Sequence, residues 1–409
     1  MEIKRFNDGH KSIYCILAFA IMWYFYFASS FVLRPFPQLF WIAIVALSIL
    51  LALLHRHKLS NMDCCFFASM SILFFLSVTS SDAFGSLVVI ENYIIYYISA
   101  RMISKNCRME TIYNLILLFS IIHLICLYIQ VLIPDVYTAV LLPLLPAYRQ
   151  EEIKYQMNSN SFYYGFTVQS SMSAMYLSVG LIITLLKVRL SREKSKQIIY
   201  IILSVLFLIA LFFTGRRGSV AVSVFIIALM YFKSKRNVIS KVLIAISLVV
   251  LVAYIGLDNI PGLNTILGKF EALLASGSLM NGREDTFAES FALFLDKPLF
   301  GYGIGQIKEA LGYAWLENSY LLTLVEGGIF GFIALFAPVV LSIRYILFAI
   351  RKRGYSDFAF LFAVYVQILF VLMSNIENYF ADPMTLFLYY VVVLSAIQFM
   401  KDRQSLQRN

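Results

Sequence analysis

Charge is what this chain has least of. Asp, Glu, Lys and Arg make up 14% of its 409 residues while apolar residues make up 61%, against about 25% and about 45–50% in an ordinary soluble domain. So few charges cannot cover that much apolar surface in water, which excludes a soluble fold. Cysteine is sparse too. Cys15, Cys64, Cys65, Cys107 and Cys126 form no CxxC pair, and none lies in a segment read below as external, so no disulfide framework is expected. The histidines are His10, His55, His57 and His123. His55 and His57, two apart, do not share a helical face and belong to a basic cluster rather than a metal site. His123, inside an apolar block, reads as a core histidine. The chain has no ATP-binding motif, no DxD in its loops and no internal repeat at the level of identity.

What it does have is long apolar runs. Twelve blocks stand at about 12–32, 39–54, 64–80, 87–103, 112–133, 167–186, 198–213, 219–232, 238–256, 319–343, 358–374 and 384–400. A helix needs roughly 20 residues to cross a bilayer, and backbone in lipid must satisfy its own hydrogen bonds. The blocks are continuous rather than alternating, which selects helices over a barrel. The first block is too long and too aromatic for a signal peptide and reads as an uncleaved span. The expected fold is therefore an all-α polytopic integral membrane protein, a single membrane domain over 1–409 with about twelve transmembrane helices.

The net charge of +10 is a topology signal, not a nucleic-acid one. Across the twelve spans, 24 of the 33 Lys and Arg fall in alternate loops and termini on one side and 9 on the other. Positive residues stay inside, so both termini are expected in the cytoplasm. Two external loops are then large, 134–166 and 257–318. The first carries Arg149 and Lys154. In the second, apolar residues at 287, 291, 294 and 295 have helical spacing. Acidic Glu284 and Asp285 precede them, and Lys297 and Pro298 follow, so an amphipathic helix over 286–297 is predicted.

Several external residue groups carry chemistry. Thr214-Gly215-Arg216-Arg217-Gly218-Ser219 joins two spans with adjacent arginines on the side that disfavours them. They either anchor to headgroups or grip phosphate through the planar guanidinium fork. Arg283 opens the amphipathic helix, as an ion-pair residue or as a substrate contact. Gly301-Tyr302-Gly303-Ile304-Gly305 lacks the flanking strand and spacing of a dinucleotide fingerprint and reads as a tight turn. Glu317-Asn318-Ser319 leads into an apolar helix: Asn318 or Ser319 suits an N-cap, while Glu317 can accept a proton. Gly328 and Gly331 read as helix-packing residues. Glu326, two turns into that helix, is an ionisable residue in an apolar setting, with Glu91 and Glu377 similar edge cases.

Residues 282–306, GREDTFAESFALFLDKPLFGYGIGQ, and 317–332, ENSYLLTLVEGGIFGF, resemble the O-antigen polymerase/ligase family of bacterial envelope proteins. In that family the last large periplasmic loop opens near a G-R pair, passes a Pro-Leu-x-Gly-x-Gly segment and closes at an x-N-S-Y-L helix start. The ligase branch carries a His, then Asn, nine intervening residues and G-x-x-G. Asn318, Gly328 and Gly331 keep that spacing, but Glu317 occupies the His position. The family's T-G-S-R or T-x-R turn corresponds to 214–217, without distinguishing Arg216 from Arg217. Gly165-Phe166-Thr167 resembles the entry to the family's middle span.

The resemblance implies a GT-C-like architecture in the bacterial inner membrane and a glycosyltransferase acting on undecaprenyl-pyrophosphate-linked oligosaccharides at the periplasmic face. A sugar hydroxyl is the nucleophile and a pyrophosphate the leaving group, so fixed cations are needed where charge develops. Glu317 and Arg283 are the implied catalytic residues. Arg216, Arg217, Asn318, Arg149 and Lys154 are the implied substrate contacts. No cofactor or metal is implied. Membrane lipids, a chain-length regulator and a flippase are the implied partners, and nucleic acid is not one. With no histidine on the external side, a polymerase is favoured over a ligase. A flippase or other transporter would place charges near the bilayer midplane, whereas here they sit in the external loops.

Overall fold

The computed structural model describes residues 8–27, 30, 59–78, 80–160, 162–232, 284–307, 311–312, 316–353 and 357–408. Among these the chain is helical, with no strand. The helices are α1 (Asp8–Tyr26), α2 (Asn61–Val78), α3 (Ala83–Asn106), α4 (Met109–Leu132), α5 (Ala147–Asn160), α6 (Ser170–Leu190), α7 (Lys194–Phe213), α8 (Arg217–Phe232), α9 (Glu284–Asp296), α10 (Ser319–Arg353), α11 (Phe358–Met373) and α12 (Pro383–Arg408). Three short helical turns lie between Pro134 and Leu144. Seven helices (α2, α3, α4, α6, α7, α10 and α12) are long and apolar enough to cross a membrane, and stretches of α1, α8 and α11 form shorter apolar helices. The protein is a multi-pass membrane protein. Ten of the twelve apolar blocks fall on these helices. The blocks at 39–54 and 238–256 lie outside the described residues, as does Arg283.

The described chain divides into two compact units. One comprises 1–18, 38–109 and 280–409; the other comprises 19–37 and 110–279. In the first unit α12 packs along α3, α10 along α2, and α9 against α10. Polar pins set the register. Asp63 in the first turn of α2 accepts from the Ser60 amide (2.8 Å) and hydroxyl (2.6 Å), while Ser60 Oγ accepts from the Asp63 amide. This reciprocal cap starts the helix. The same carboxylate takes the Tyr97 hydroxyl and the Arg101 guanidinium of α3, so an otherwise costly buried charge is fully paired. Phe66 and Tyr97 stack at 3.8 Å beside it.

In the second unit α6 is buried on nearly all sides and packs against α7 and α8. Gly180 makes this close approach feasible, since a Cβ there would lie 2.6 Å from the ring of Phe207. His123 is fully buried between the rings of Phe27 and Tyr176, with Nε2 3.2 Å from the Tyr26 carbonyl. It is a core histidine, as its apolar surroundings in the sequence suggest.

Candidate active site

The second unit carries the arginine turn. After α7 the chain turns through Thr214 and Gly215, whose φ of 67° suits glycine. A Cβ on Gly215 would also strike the Phe162 ring at 2.2 Å. The Tyr163 amide donates to the Phe213 carbonyl, which fixes the 162–169 segment against this turn. Gln130 of α4 supports the segment from beneath: its Oε1 accepts from the Tyr164 and Gly165 amides at 2.8 and 2.7 Å. The Tyr137 hydroxyl donates to the Gly165 carbonyl.

Arg216 and Arg217 follow this turn in the chain. Arg216 Nε donates to Ser170 Oγ at 2.7 Å, at the start of α6. Arg217 is the first residue of α8. Arg149 opens α5 in the first large loop, a 14-residue helix that the sequence pattern did not disclose. Its guanidinium pairs with Glu152, and its Nε is buried with no hydrogen-bond acceptor among the described residues. Tyr164 sits within the fields of Glu152, Arg216 and Arg149. Burial raises its hydroxyl pKa, Glu152 adds to the rise, and Arg216 and Arg149 pull against it. Of the sequence candidates, then, Arg216 and Arg149 both act electrostatically on Tyr164, Arg216 from its bond to Ser170 and Arg149 from its pair with Glu152. Lys154 does not join them by hydrogen bond; it pairs with Glu151 at 2.9 Å on an exposed face of α5. Tyr164, Ser170 and Glu152 are site neighbours that sequence reading missed. The Gly165-Phe166-Thr167 match was the nearest signal to them.

The first unit carries Glu317 and Asn318. Asn318 is the N-cap of α10: its Oδ1 accepts from the Tyr320 and Leu321 amides, both at 3.0 Å. This helix start is fastened to the loop between α11 and α12. The Ser319 amide donates to the Ser374 carbonyl (2.8 Å), Asn318 Nδ2 to the Asn375 carbonyl, and Ser319 Oγ to the Glu377 carbonyl. The Phe380 amide returns a bond to Ser319 Oγ. Glu317 is therefore the residue just outside a rigidly held helix start, half-buried. The same loop ends at Asp382, whose Oδ1 accepts from the Met384 amide at the start of α12. Burial raises the Asp382 carboxyl to about 6, against the opposing pull of backbone bonds from Met384 and Thr385.

Eleven residues beyond Glu317, α10 is broken. Gly328 has φ 59° and ψ −161°, a region that is essentially glycine's alone. The segment after α9 enters the break. The Ile329 and Phe330 amides donate to the Pro298 and Leu299 carbonyls at 2.8 and 3.2 Å, and the Val325 and Glu326 carbonyls accept from the Tyr302 and Gly303 amides at 3.0 and 2.8 Å. A Cβ on Gly328 would lie 2.4 Å from the Leu299 backbone, and one on Gly301 2.4 Å from the Glu326 carbonyl oxygen. This corrects the reading of Gly328 as a helix-packing glycine. Gly331 is one, lying where a Cβ would meet Leu76 at an ordinary 3.5 Å. The Gly301–Gly305 stretch is a turn, as expected, with φ positive at all three glycines.

The amphipathic helix forms as α9, Glu284–Asp296, beginning and ending slightly earlier than expected. Phe287, Leu293 and Phe294 pack with Leu321 and Leu322 on Ile307, Leu316 and Val325, while Phe291 and Leu295 remain exposed. Lys297 follows the helix and lies 4.1 Å from the centroid of the Tyr302 ring, whose hydroxyl donates to Asp296. Among the described residues no group of three or more His, Cys, Asp or Glu could hold a metal ion.

No curated protein matches the chain. Residues 202–336, which run from α7 through the arginine turn to the broken part of α10, match the family model Wzy_C, O-antigen ligase, and the resemblance to the O-antigen polymerase/ligase family rests on that match.

Proposed function

We propose that the chain is a lipid-linked glycan polymerase, joining undecaprenyl-pyrophosphate-linked oligosaccharide repeat units at the periplasmic face of the inner membrane. The observation that supports it is the Arg216 turn held to Ser170, with the Arg149 Nε buried and without an acceptor among the described residues, both cations acting electrostatically on Tyr164. Two guanidinium groups on a platform fixed by Gln130 suit a diphosphate, whose oxygens accept bidentate bonds. In this reading the acceptor sugar's hydroxyl oxygen attacks the anomeric carbon of the donor. The bond from that carbon to the pyrophosphate oxygen breaks, and the lipid pyrophosphate leaves with the electron pair. Arg216 and Arg149 neutralise its developing charge. Glu317 is assigned to take the hydroxyl proton on the family resemblance alone. Arg283 immediately precedes α9 in the chain and is assigned to the same pyrophosphate on the family resemblance alone. Arg217, Asn318 and Lys154 remain proposed substrate contacts, Asn318 through its hold on the helix start. Cytoplasmic termini, and a flippase and chain-length regulator as partners, belong to this reading.

The second reading is the ligase described by the matched family model, which would transfer a finished glycan onto lipid A-core. Glu317 at the ligase histidine's position argues for the polymerase. Deletion of the gene followed by analysis of surface glycan separates the readings. A single repeat unit left on the core means polymerase. Complete absence of repeats from the core with polymer still made means ligase. Build-up of lipid-linked units in the cytoplasmic leaflet means flippase and refutes both.

A further inference from the structure

Glu326 is buried, 8% exposed, in the last turn of α10 before the break. A carboxylate in an apolar helix is expensive and persists where it has work to do. Its bonds identify that work. The Glu326 carbonyl accepts from the Gly303 amide at 2.8 Å, and Oε1 accepts from the Ile307 amide at 3.2 Å. One residue thus collects two backbone N–H groups of the segment that follows α9. Ser86 of α3 holds the same segment from outside, donating to the Ile304 carbonyl at 2.6 Å.

We propose that Glu326 is a positioning residue: its carboxylate closes the clasp that fixes α9 against the α10 start bearing Glu317. The leverage is large. From the clasp, α9 extends 13 residues, about 20 Å at helical rise, so a tilt of about 5° moves its far end by about 2 Å. The Glu317 side of the clasp is about 13 Å away by the same rise. A misplacement of about 1 Å in a reacting group costs on the order of 10²-fold in rate. The requirement is for an acceptor of the right length, not for a charge. Gln keeps chain length and a carbonyl oxygen, whereas Asp keeps the charge but is one methylene too short to reach the Ile307 amide, already 3.2 Å from Oε1.

The catalytic half of this inference rests on Glu317 acting in polymerisation; the geometric half does not. The test therefore reads both. In a cysteine-free background, spin labels at Ala288→Cys on α9 and Ile333→Cys on α10, both exposed positions, report the distance distribution between the helices by pulsed EPR. Turnover in purified lipid gives kcat and KM. Glu326→Gln is expected to keep a narrow distribution and kcat within about tenfold of the parent. Glu326→Asp is expected to broaden or shift the distribution and lower kcat on the order of 10²-fold with KM little changed. Normal distances and rate in Glu326→Asp overturn the inference. So does a loss of rate in Glu326→Gln with distances unchanged, because that assigns proton chemistry to Glu326 itself. If Glu326→Asp does not accumulate, Glu326→Gln decides alone: a broadened distribution overturns the clasp. Should the parent not polymerise at all, the proposed function fails, while the distance measurements still decide the positioning.

Discussion

Replacing Gly328 by alanine separates a backbone-docking glycine from a packing one. In an unbroken helix the Val325 carbonyl would accept from the Ile329 amide and the Glu326 carbonyl from the Phe330 amide. Here those two bonds are exchanged for four, made to Pro298, Leu299, Tyr302 and Gly303. Alanine has two routes. It can hold φ 59° and ψ −161° at about 1–3 kcal/mol of strain, with its Cβ 2.4 Å from the Leu299 backbone, which must then move. Alternatively α10 can close into a continuous helix. The two internal bonds return, but four backbone groups of the 298–303 segment lose their acceptors and donors. Net of the two bonds regained, at about 0.5–1.5 kcal/mol per bond this amounts to about 1–3 kcal/mol. Either route costs about 1–3 kcal/mol and loosens α9 from α10. Gly331→Ala is the matched control. Its Cβ would make an ordinary contact with Leu76, and alanine gains up to about 1 kcal/mol in helix propensity. Thermal unfolding in detergent and polymer formation in purified lipid are the readouts. Gly328→Ala should fall in both, with helix content by circular dichroism unchanged or slightly raised, while Gly331→Ala stays close to the parent. Equal behaviour of the two variants would refute the docking argument.

Three further outcomes are expected. Glu317→Gln, which cannot accept the proton, should lower polymerisation about 10²–10⁴-fold at normal protein level; a well-expressed variant with near-normal rate leaves Glu317 as a helix-start residue only. Arg216→Lys removes the Nε bond to Ser170 and the bidentate fork, so it should reduce turnover more than Arg217→Lys, and the reverse order in a purified-lipid assay would move the phosphate contact to Arg217. Asp382 has a folded-state pKa of about 6 against an ordinary 3.8, so the fold binds its proton more tightly than the unfolded chain does. Its contribution is greatest below about pH 4 and is lost as pH rises through about 6, roughly 2–3 kcal/mol in all. Asp382→Asn keeps the cap and should flatten that part of the stability-against-pH curve; an unchanged slope contradicts the assignment.

The helices were legible because a bilayer reduces them largely to one quantity, the length of an apolar run. Ten of the apolar blocks fall on helices for that reason, with ends off by a few residues where polar caps decide the boundary, as Asp82 does for α3. What composition could not disclose is helix without hydrophobicity. α5, AYRQEEIKYQMNSN, has a negative mean hydropathy and no apolar stripe, yet it holds Arg149 through the Glu152 pair and the burial of Ile153. Its stability is tertiary, so no periodic signal marks it.

The candidate site divides along the same line. Arg216, Asn318 and Glu317 could be read because each depends on a local pattern: a glycine turn, a cap, a residue beside a helix start. The partners that hold them could not. Ser170, Tyr164, Gln130 and the loop that ties down Ser319 arrive from 46 to 86 residues away along the chain, where spacing carries no information. The glycines of 301–305 and Gly328 show the limit most sharply. Each looks like an independent local feature, a turn and a packing notch. Neither conformation is accounted for alone, because a helix does not open at a glycine without a donor and acceptor to replace the bonds it gives up. The two motifs occur together because the N–H groups of one complete the carbonyls of the other, and Glu326 supplies an acceptor for the Ile307 amide that the break itself does not provide.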